Sequence, residues 1–194
     1  MSDQRNLSDA IGLPEVNQLD KKTVFSGRIW NVVRSKFNFY GEEISREYIE
    51  HPGAVAVFAL NSSNEVLLIR QYRAPVNEFL LEIPAGLLDV AGEDKLDTAK
   101  RELREEADYE ANHWELLQEF HTTPGSSSET ITIFLARGLT PLAEKFDRSA
   151  EEKHLEVSWV PFAELLSAVR SSAVKSPTLV VATLAFAAKI DEDV

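Results

Sequence analysis

The sequence predicts an α+β fold in which mixed β-sheets are sandwiched between α-helices (α/β/α), with an antiparallel β element at the N-terminus. Three observations carry that reading. Strand-like and helix-like periodicities both occur among the 194 residues. Their order is strands, one central helix, more strands and then two helices, not the regular alternation of a doubly wound parallel sheet. Neither a Gly-x-Gly-x-x-Gly pattern nor a P-loop ending in Gly-Lys-Ser/Thr is present.

Met1 to about Asp20 is polar and without period, and is expected to fray at its start. Thr23–Phe25, Ile29–Phe39 and Ile44–Ile49 read as strands, with Gly27 and Gly41 among the turn residues between them. This places a β element over residues 1–50, ahead of a main domain over 51–194. Gly53–Leu60 and Glu65–Tyr72 are stronger strands, joined by the turn Asn61-Ser62-Ser63-Asn64. Phe79–Ile83 is a further short strand, closed by Pro84. After a loop over Gly86–Gly92, Asp94 is placed to cap a helix whose Leu96, Ala99, Leu103 and Ala107 form one apolar stripe. Trp114–His121, Thr130–Ala136 and Leu155–Val160 return to strand, with Thr140–Lys153 read as a polar loop. Two helices finish the chain, Phe162–Ser171 and one opening at Ser176-Pro177, where proline suits the first turn.

Composition removes several classes of function. There is no cysteine, hence no disulfide, thiolate nucleophile, Cys-type zinc site or iron–sulfur cluster. Twenty Lys and Arg stand against 32 Asp and Glu, and the formal charge of −12 disfavours nucleic acid and anionic membranes as partners. No apolar run reaches the ~18 residues a membrane span needs, and the N-terminus lacks a signal-peptide pattern, so a soluble, cytoplasmic protein is expected. His51, His113, His121 and His154 lack metal-site spacing, and Ser126-Ser127-Ser128 has no nucleophile-elbow pattern.

The chemistry concentrates in Gly86–Glu93 and Arg101–Glu106. At about 100° per residue, Glu102, Glu105 and Glu106 fall within roughly one third of the helix circumference, beside the apolar stripe. Like charges at these spacings repel by a few tenths of a kcal/mol per pair. Oxygen clusters of this kind suit Mg²⁺ or Mn²⁺, which prefer carboxylate and water ligands. In a chain with 27% charged residues, a bare Glu-x-x-Glu-Glu is usually only a solvated face. The residues around it set this one apart.

Gly86, Glu93 and Arg101-Glu102-Leu103-Arg104-Glu105-Glu106 resemble the signature of the Nudix hydrolases: Gly, five residues, Glu, seven residues, Arg-Glu, aliphatic, any, Glu-Glu, any, Gly. There are two departures. Six residues separate Gly86 from Glu93, so the loop is expected to bulge at Val90-Ala91, and Asp108 stands in place of the late glycine. In the family that glycine ends the helix and holds no metal. The resemblance implies divalent-metal-dependent hydrolysis of a diphosphate, with Mg²⁺ first and Mn²⁺ possible. It implies that Glu102 and Glu106 are principal ligands, Glu105 a further one and the Ala85 carbonyl another. Arg101 would orient the glutamates and Glu93 would brace the loop.

His51-Pro52-Gly53-Ala54-Val55, Gln71-Tyr72-Arg73, Glu82-Ile83-Pro84-Ala85-Gly86 and Pro124-Gly125-Ser126 resemble segments of the ADP-ribose pyrophosphatase branch in the same order, and the loop Gly86–Glu93, extra residue included, resembles that of actinobacterial members. That branch implies ADP-ribose as substrate and a homodimer that exchanges N-terminal strands. It also implies substrate contacts from Arg73, Arg46, Trp30, Glu82 and Glu129. Its general base is a late-loop glutamate, for which Glu152 is preferred over Glu151. Other diphosphates (a nucleotide sugar, a flavin nucleotide, a dinucleoside polyphosphate) and a nucleotide-sensing domain without turnover stand as alternatives.

Overall fold

Successive residues of Gly53–Leu60 face opposite sides of a sheet, and both sides are apolar. That pattern demands a strand covered on each face. The computed structural model, which describes residues 16–148 and 153–192, meets the demand in β4 (Ala54–Ala59). Ala54, Ala56 and Phe58 enter one core with Leu179, Ala182 and Phe186, whereas Val55, Val57 and Ala59 enter another with Ala99, Leu103 and Ala107. The first set packs on α2 (Phe162–Arg170) and α3 (Pro177–Glu192), the second on α1 (Lys95–Ala107). Helices thus cover both faces, as the sequence predicts.

The chain forms two compact units, Met1–His51 with Thr123–Ser128, and Pro52–Thr122 with Glu129–Val194. The first contains the antiparallel sheet β1 (Val16–Ser26), β2 (Asn31–Phe39) and β3 (Glu42–Glu50), in that order. Tyr40 and Gly41 both take positive φ, 51° and 89°, as a tight hairpin between β2 and β3 requires. Segment 123–128 adds to β3: Ile49 N–H donates to the Ser126 carbonyl and Ser128 N–H to that of Ile49. β1 starts at Val16, inside the stretch expected to be irregular, and every residue of it is exposed. Its partner in β2, rather than any apolar face of its own, makes it a strand.

The second unit holds two sheets. One is the mixed sheet β7 (Ala85–Leu87), β4, β9 (Thr130–Pro141), β8 (Tyr109–His121), in which β4 and β9 run parallel. The other is antiparallel: β10 (Glu156–Pro161), β5 (Glu65–Arg73), β6 (Glu78–Glu82). β5 repeats the two-faced alternation, Val66 and Leu68 entering the core under α2 and α3, Leu67 and Ile69 the core under α1. Phe58, Phe162 and Phe186 interlock at centroid separations of 5.3, 6.5 and 4.9 Å, two of the three pairs edge-on. β7 lies within the expected loop, where three residues are too few to show a period. Its pairing with β4 presses the start of that loop against α1. Among the described residues, no helix is long and apolar enough to cross a membrane.

Candidate active site

α1 begins as its sequence dictates, Asp94 accepting a hydrogen bond from Asp97 N–H at 2.9 Å. The helix then turns more than its apolar stripe inward. Glu102 and Glu106, expected beside that stripe, are 9% and 6% exposed and lie buried alongside Ala99 and Leu103. A buried carboxylate must be hydrogen-bonded or charge-compensated, and the partners are specific. Ala85 N–H donates to Glu106 Oε2 at 2.8 Å. Arg101 Nη1 donates to Glu102 Oε1 at 2.6 Å and to Glu105 Oε2 at 3.0 Å.

The other edge of the Arg101 fork reaches back to the loop. Nε lies 3.2 Å from Glu93 Oε1, and Nη2 lies 3.2 Å from Glu93 Oε2. Thr98, fully buried, donates its hydroxyl to the same carboxylate at 2.9 Å. The hydrogen bond from Arg101 holds the Glu93 carboxyl below its ordinary pKa against partial desolvation, with Thr98 assisting. Burial works against the charged guanidinium of Arg101, but the bonds to Glu93, Glu105 and Glu102 and the charge of Glu102 outweigh it, and its pKa is raised. Both groups therefore stay ionised at neutral pH. Thr98 was not legible as a site residue, since nothing in its spacing distinguishes it from an ordinary first-turn threonine.

Gly86 is explained by close approach. A Cβ built there would sit 1.9 Å from Glu102 Oε1 and 2.1 Å from its Cδ. Only a residue without Cβ lets the β7 backbone lie against that carboxylate. The extra loop residue is taken up in a turn where Glu93 N–H donates to the Val90 carbonyl at 3.2 Å and Gly92 takes φ 85°. Asp108 ends α1 in the left-handed conformation, φ 60° and ψ 37°, with its N–H on the carbonyls of Arg104 and Leu103. An aspartate tolerates this backbone better than most residues, so it can stand where the family has glycine.

The fit of a divalent cation can be judged from these groups. The carboxylates of Glu93, Glu102, Glu105 and Glu106 gather around the single guanidinium of Arg101 and the Ala85 backbone, an excess of half-buried negative charge. All the acceptors are hard oxygens, the donor set that Mg²⁺ and Mn²⁺ take. Among the described residues no three acids already converge as a ligand set, because Arg101 and Ala85 N–H occupy them. The residues fit such a cation in the chemistry of their donor atoms.

The outer residues sit on distinct elements. Arg73 ends β5 and makes a two-pronged ion pair with buried Glu82 on β6, Nε to Oε1 at 2.8 Å and Nη2 to Oε2 at 2.6 Å. Two residues expected to touch substrate are therefore held in one rigid pair. Glu129 accepts from the Thr122 hydroxyl at the base of the β8–β9 hairpin. Trp30 belongs to the first unit, 42% exposed in the β1–β2 turn with its ring 6.0 Å from that of His51. Arg46 is exposed on β3 and donates to the Ser45 carbonyl. Glu151 and Glu152 lie outside the described residues.

Known proteins share both the sequence and the shape. The NUDIX domain model matches residues 50–179. An ADP-ribose pyrophosphatase of Mycobacterium tuberculosis is 38% identical over 147 residues, 75% of this chain and 70% of that protein. One from Bacillus subtilis is 35% identical over 158 residues, 81% of this chain and 84% of its own length. In fold, a crystal structure of an ADP compounds hydrolase superposes with a TM-score of 0.77 at 23% identity, covering 94% of this chain and 97% of that one. A family model spanning most of the chain, and relatives at this identity, mean that the protein is a member of the Nudix hydrolase family.

Proposed function

We propose that this protein is a cytoplasmic ADP-ribose pyrophosphatase, hydrolysing the diphosphate of ADP-ribose to AMP and ribose 5-phosphate. The observation that carries the reading is the Glu102 carboxylate packed against Gly86 and tied through Arg101 to Glu93, within a chain whose curated relatives include ADP-ribose pyrophosphatases. Glu102, Glu105, Glu106 and the Ala85 carbonyl would hold the divalent cation, Mg²⁺ first and Mn²⁺ possible. When bound, such a cation neutralises diphosphate charge and lowers the pKa of coordinated water. Arg101 keeps Glu102 and Glu105 aligned, and Glu93 with Thr98 keeps Arg101 aligned. Arg73, Arg46, Trp30, Glu82 and Glu129 are assigned to the substrate, Arg73 with Glu82 as a preset pair. In the reaction the oxygen of water bonds to one phosphorus as the bond from that phosphorus to the bridging oxygen breaks. The bridging oxygen leaves on the other phosphorus, and the protons of water pass to the base and the product phosphates.

A substrate panel with Mg²⁺, read by AMP release, tests this: ADP-ribose, a nucleotide sugar, a flavin nucleotide and a dinucleoside polyphosphate. ADP-ribose is expected to give the highest kcat/KM, and EDTA to abolish turnover. A clear preference for another member sinks the substrate, and no turnover of any sinks the hydrolase.

The base is assigned to Glu152. Three acids of α1 serve as ligands, and a fourth is needed to take the water proton. Glu152→Gln is expected to lower kcat by roughly a hundredfold with little change in KM, and Glu151→Gln to do much less. Loss confined to the Glu151 variant moves the assignment by one residue, and full activity in the double variant removes the base from this segment.

The active assembly is assigned as a homodimer. β1 is an edge strand of its three-stranded sheet, with Val16, Leu19, Val24 and Phe25 exposed along it, and an edge strand suits pairing with a second copy. Light scattering at micromolar concentration is expected to give about twice the chain mass of 21.7 kDa. A value at the chain mass rules the dimer out.

A further inference from the structure

We propose that Asp108 and Arg148 form a clamp that positions the C-terminal turn of α1 for the reaction. The inference rests on the hydrolase reading above. Asp108 binds the segment 142–148 at three points. Its carbonyl accepts from Leu142 N–H at 2.8 Å, its Oδ1 from Phe146 N–H at 2.7 Å, and its Oδ2 from Arg148 Nη2 at 2.7 Å. Arg148 then spends its remaining edge on the helix, Nε donating to the Glu105 carbonyl at 2.8 Å. The two side chains are only 15% and 16% exposed, so solvent screens the pair far less than it does the surface ion pairs of this chain.

Each part has a physical reason. The last carbonyls of a helix lack intrahelical donors and carry negative partial charge, so a cation bonded there is favoured. The carbonyl it takes belongs to Glu105, whose side chain accepts from Arg101 and whose neighbour is Glu106. A glycine at position 108 would adopt the same backbone but offer no carboxylate. The aspartate therefore does what glycine does for the turn and adds an anchor for the segment that follows β9. Phe146, held by that anchor, lines one cleft with Arg101 and Glu105. The clamp joins one wall of this cleft to the turn that carries Glu105 and Glu106.

The two residues act through α1 and need not touch substrate, so the test separates positioning from mere stability. In the full-length protein, Asp108→Gly and Arg148→Ala are compared with wild type for melting temperature, ADP-ribose kinetics with Mg²⁺, and amide hydrogen exchange over 142–148. Asp108→Gly keeps a residue at ease in the left-handed turn but leaves the half-buried Arg148 cation without its carboxylate, so its melting temperature should fall by several degrees, and kinetics are read well below it, where the variant is folded. Exchange at Phe146 is expected to accelerate, and kcat to fall by roughly ten- to a hundredfold while KM changes by less than about threefold, as for a small misplacement of catalytic groups. Because the residues work as one unit, the double variant should be no worse than the poorer single one. Asp108→Asn retains the Phe146 acceptor and should recover part of the activity. Unchanged kcat in both single variants, or losses that multiply in the double, overturns the proposal. Absence of turnover in wild type sinks the hydrolase reading and the kinetic role together. The exchange arm still decides the clamp, which fails if Asp108→Gly leaves Phe146 protected.

Discussion

Glu106→Gln should fold normally and lose two or more orders of magnitude in kcat. The variant preserves shape: glutamine still has an oxygen to accept from Ala85 N–H, the bond now made at 2.8 Å. It removes one negative charge from a carboxylate that is only 6% exposed. Burying such a charge costs folding energy, so its removal should leave the melting temperature unchanged or raise it. Activity should move the opposite way, because a group proposed to hold the cation loses its charge. A rise in the Mg²⁺ concentration needed for half-maximal turnover should accompany the loss. Near-normal turnover in a well-folded variant at saturating Mg²⁺ removes Glu106 from the mechanism. A large fall in melting temperature would instead mean that the carboxylate serves the fold.

This combination of burial and charge was only half visible in the sequence. The residue types and their spacing placed Glu102, Glu105 and Glu106 on one arc of α1, and Asp94 at its start, because helix geometry and capping are local. β4 and β5 were legible for a similar reason: each alternates between two apolar faces over a few residues. The depth at which Glu102 and Glu106 lie was not legible, since it depends on β7 pressing against the helix, and β7 is three residues long. Nor could the parallel pairing of Ala54 with Ile131 be read, as it joins strands more than seventy residues apart with no short connection. β1 was placed too late in the chain because its residues are all exposed, so no buried face marks where it begins. At Asp108 the departure from the family pattern was visible while its consequence was not. The segment that carboxylate holds becomes adjacent only once β8 and β9 have paired, after which Asp108 and Arg148 meet across forty residues.

Gly86→Ala should reduce activity about a hundredfold or more while costing only modest stability. The added methyl would meet Glu102 Oε1 at 1.9 Å, Cδ at 2.1 Å and Cγ at 2.6 Å, distances no pair of atoms sustains. Something must move, and what stands in the way is a side chain, not backbone. Gly86 does not have a positive φ, so alanine meets no conformational penalty there. The expected response is that the Glu102 side chain swings away, at an overpacking cost of about 1–3 kcal/mol. That displacement breaks the bond from Arg101 Nη1 to Glu102 and removes from the site one of the acids assigned to the cation. A double variant separates the two effects. Truncating Glu102 removes the carboxylate that the methyl would strike, so Gly86→Ala with Glu102→Ala should be more stable than Gly86→Ala alone. It should remain inactive, because the carboxylate is absent rather than displaced. Denaturant unfolding and steady-state kinetics on the three variants suffice. Wild-type kcat in Gly86→Ala would show that Glu102 need not occupy its present place. A double variant no more stable than Gly86→Ala would mean that the methyl clashes elsewhere, and that the glycine answers to something other than the Glu102 carboxylate.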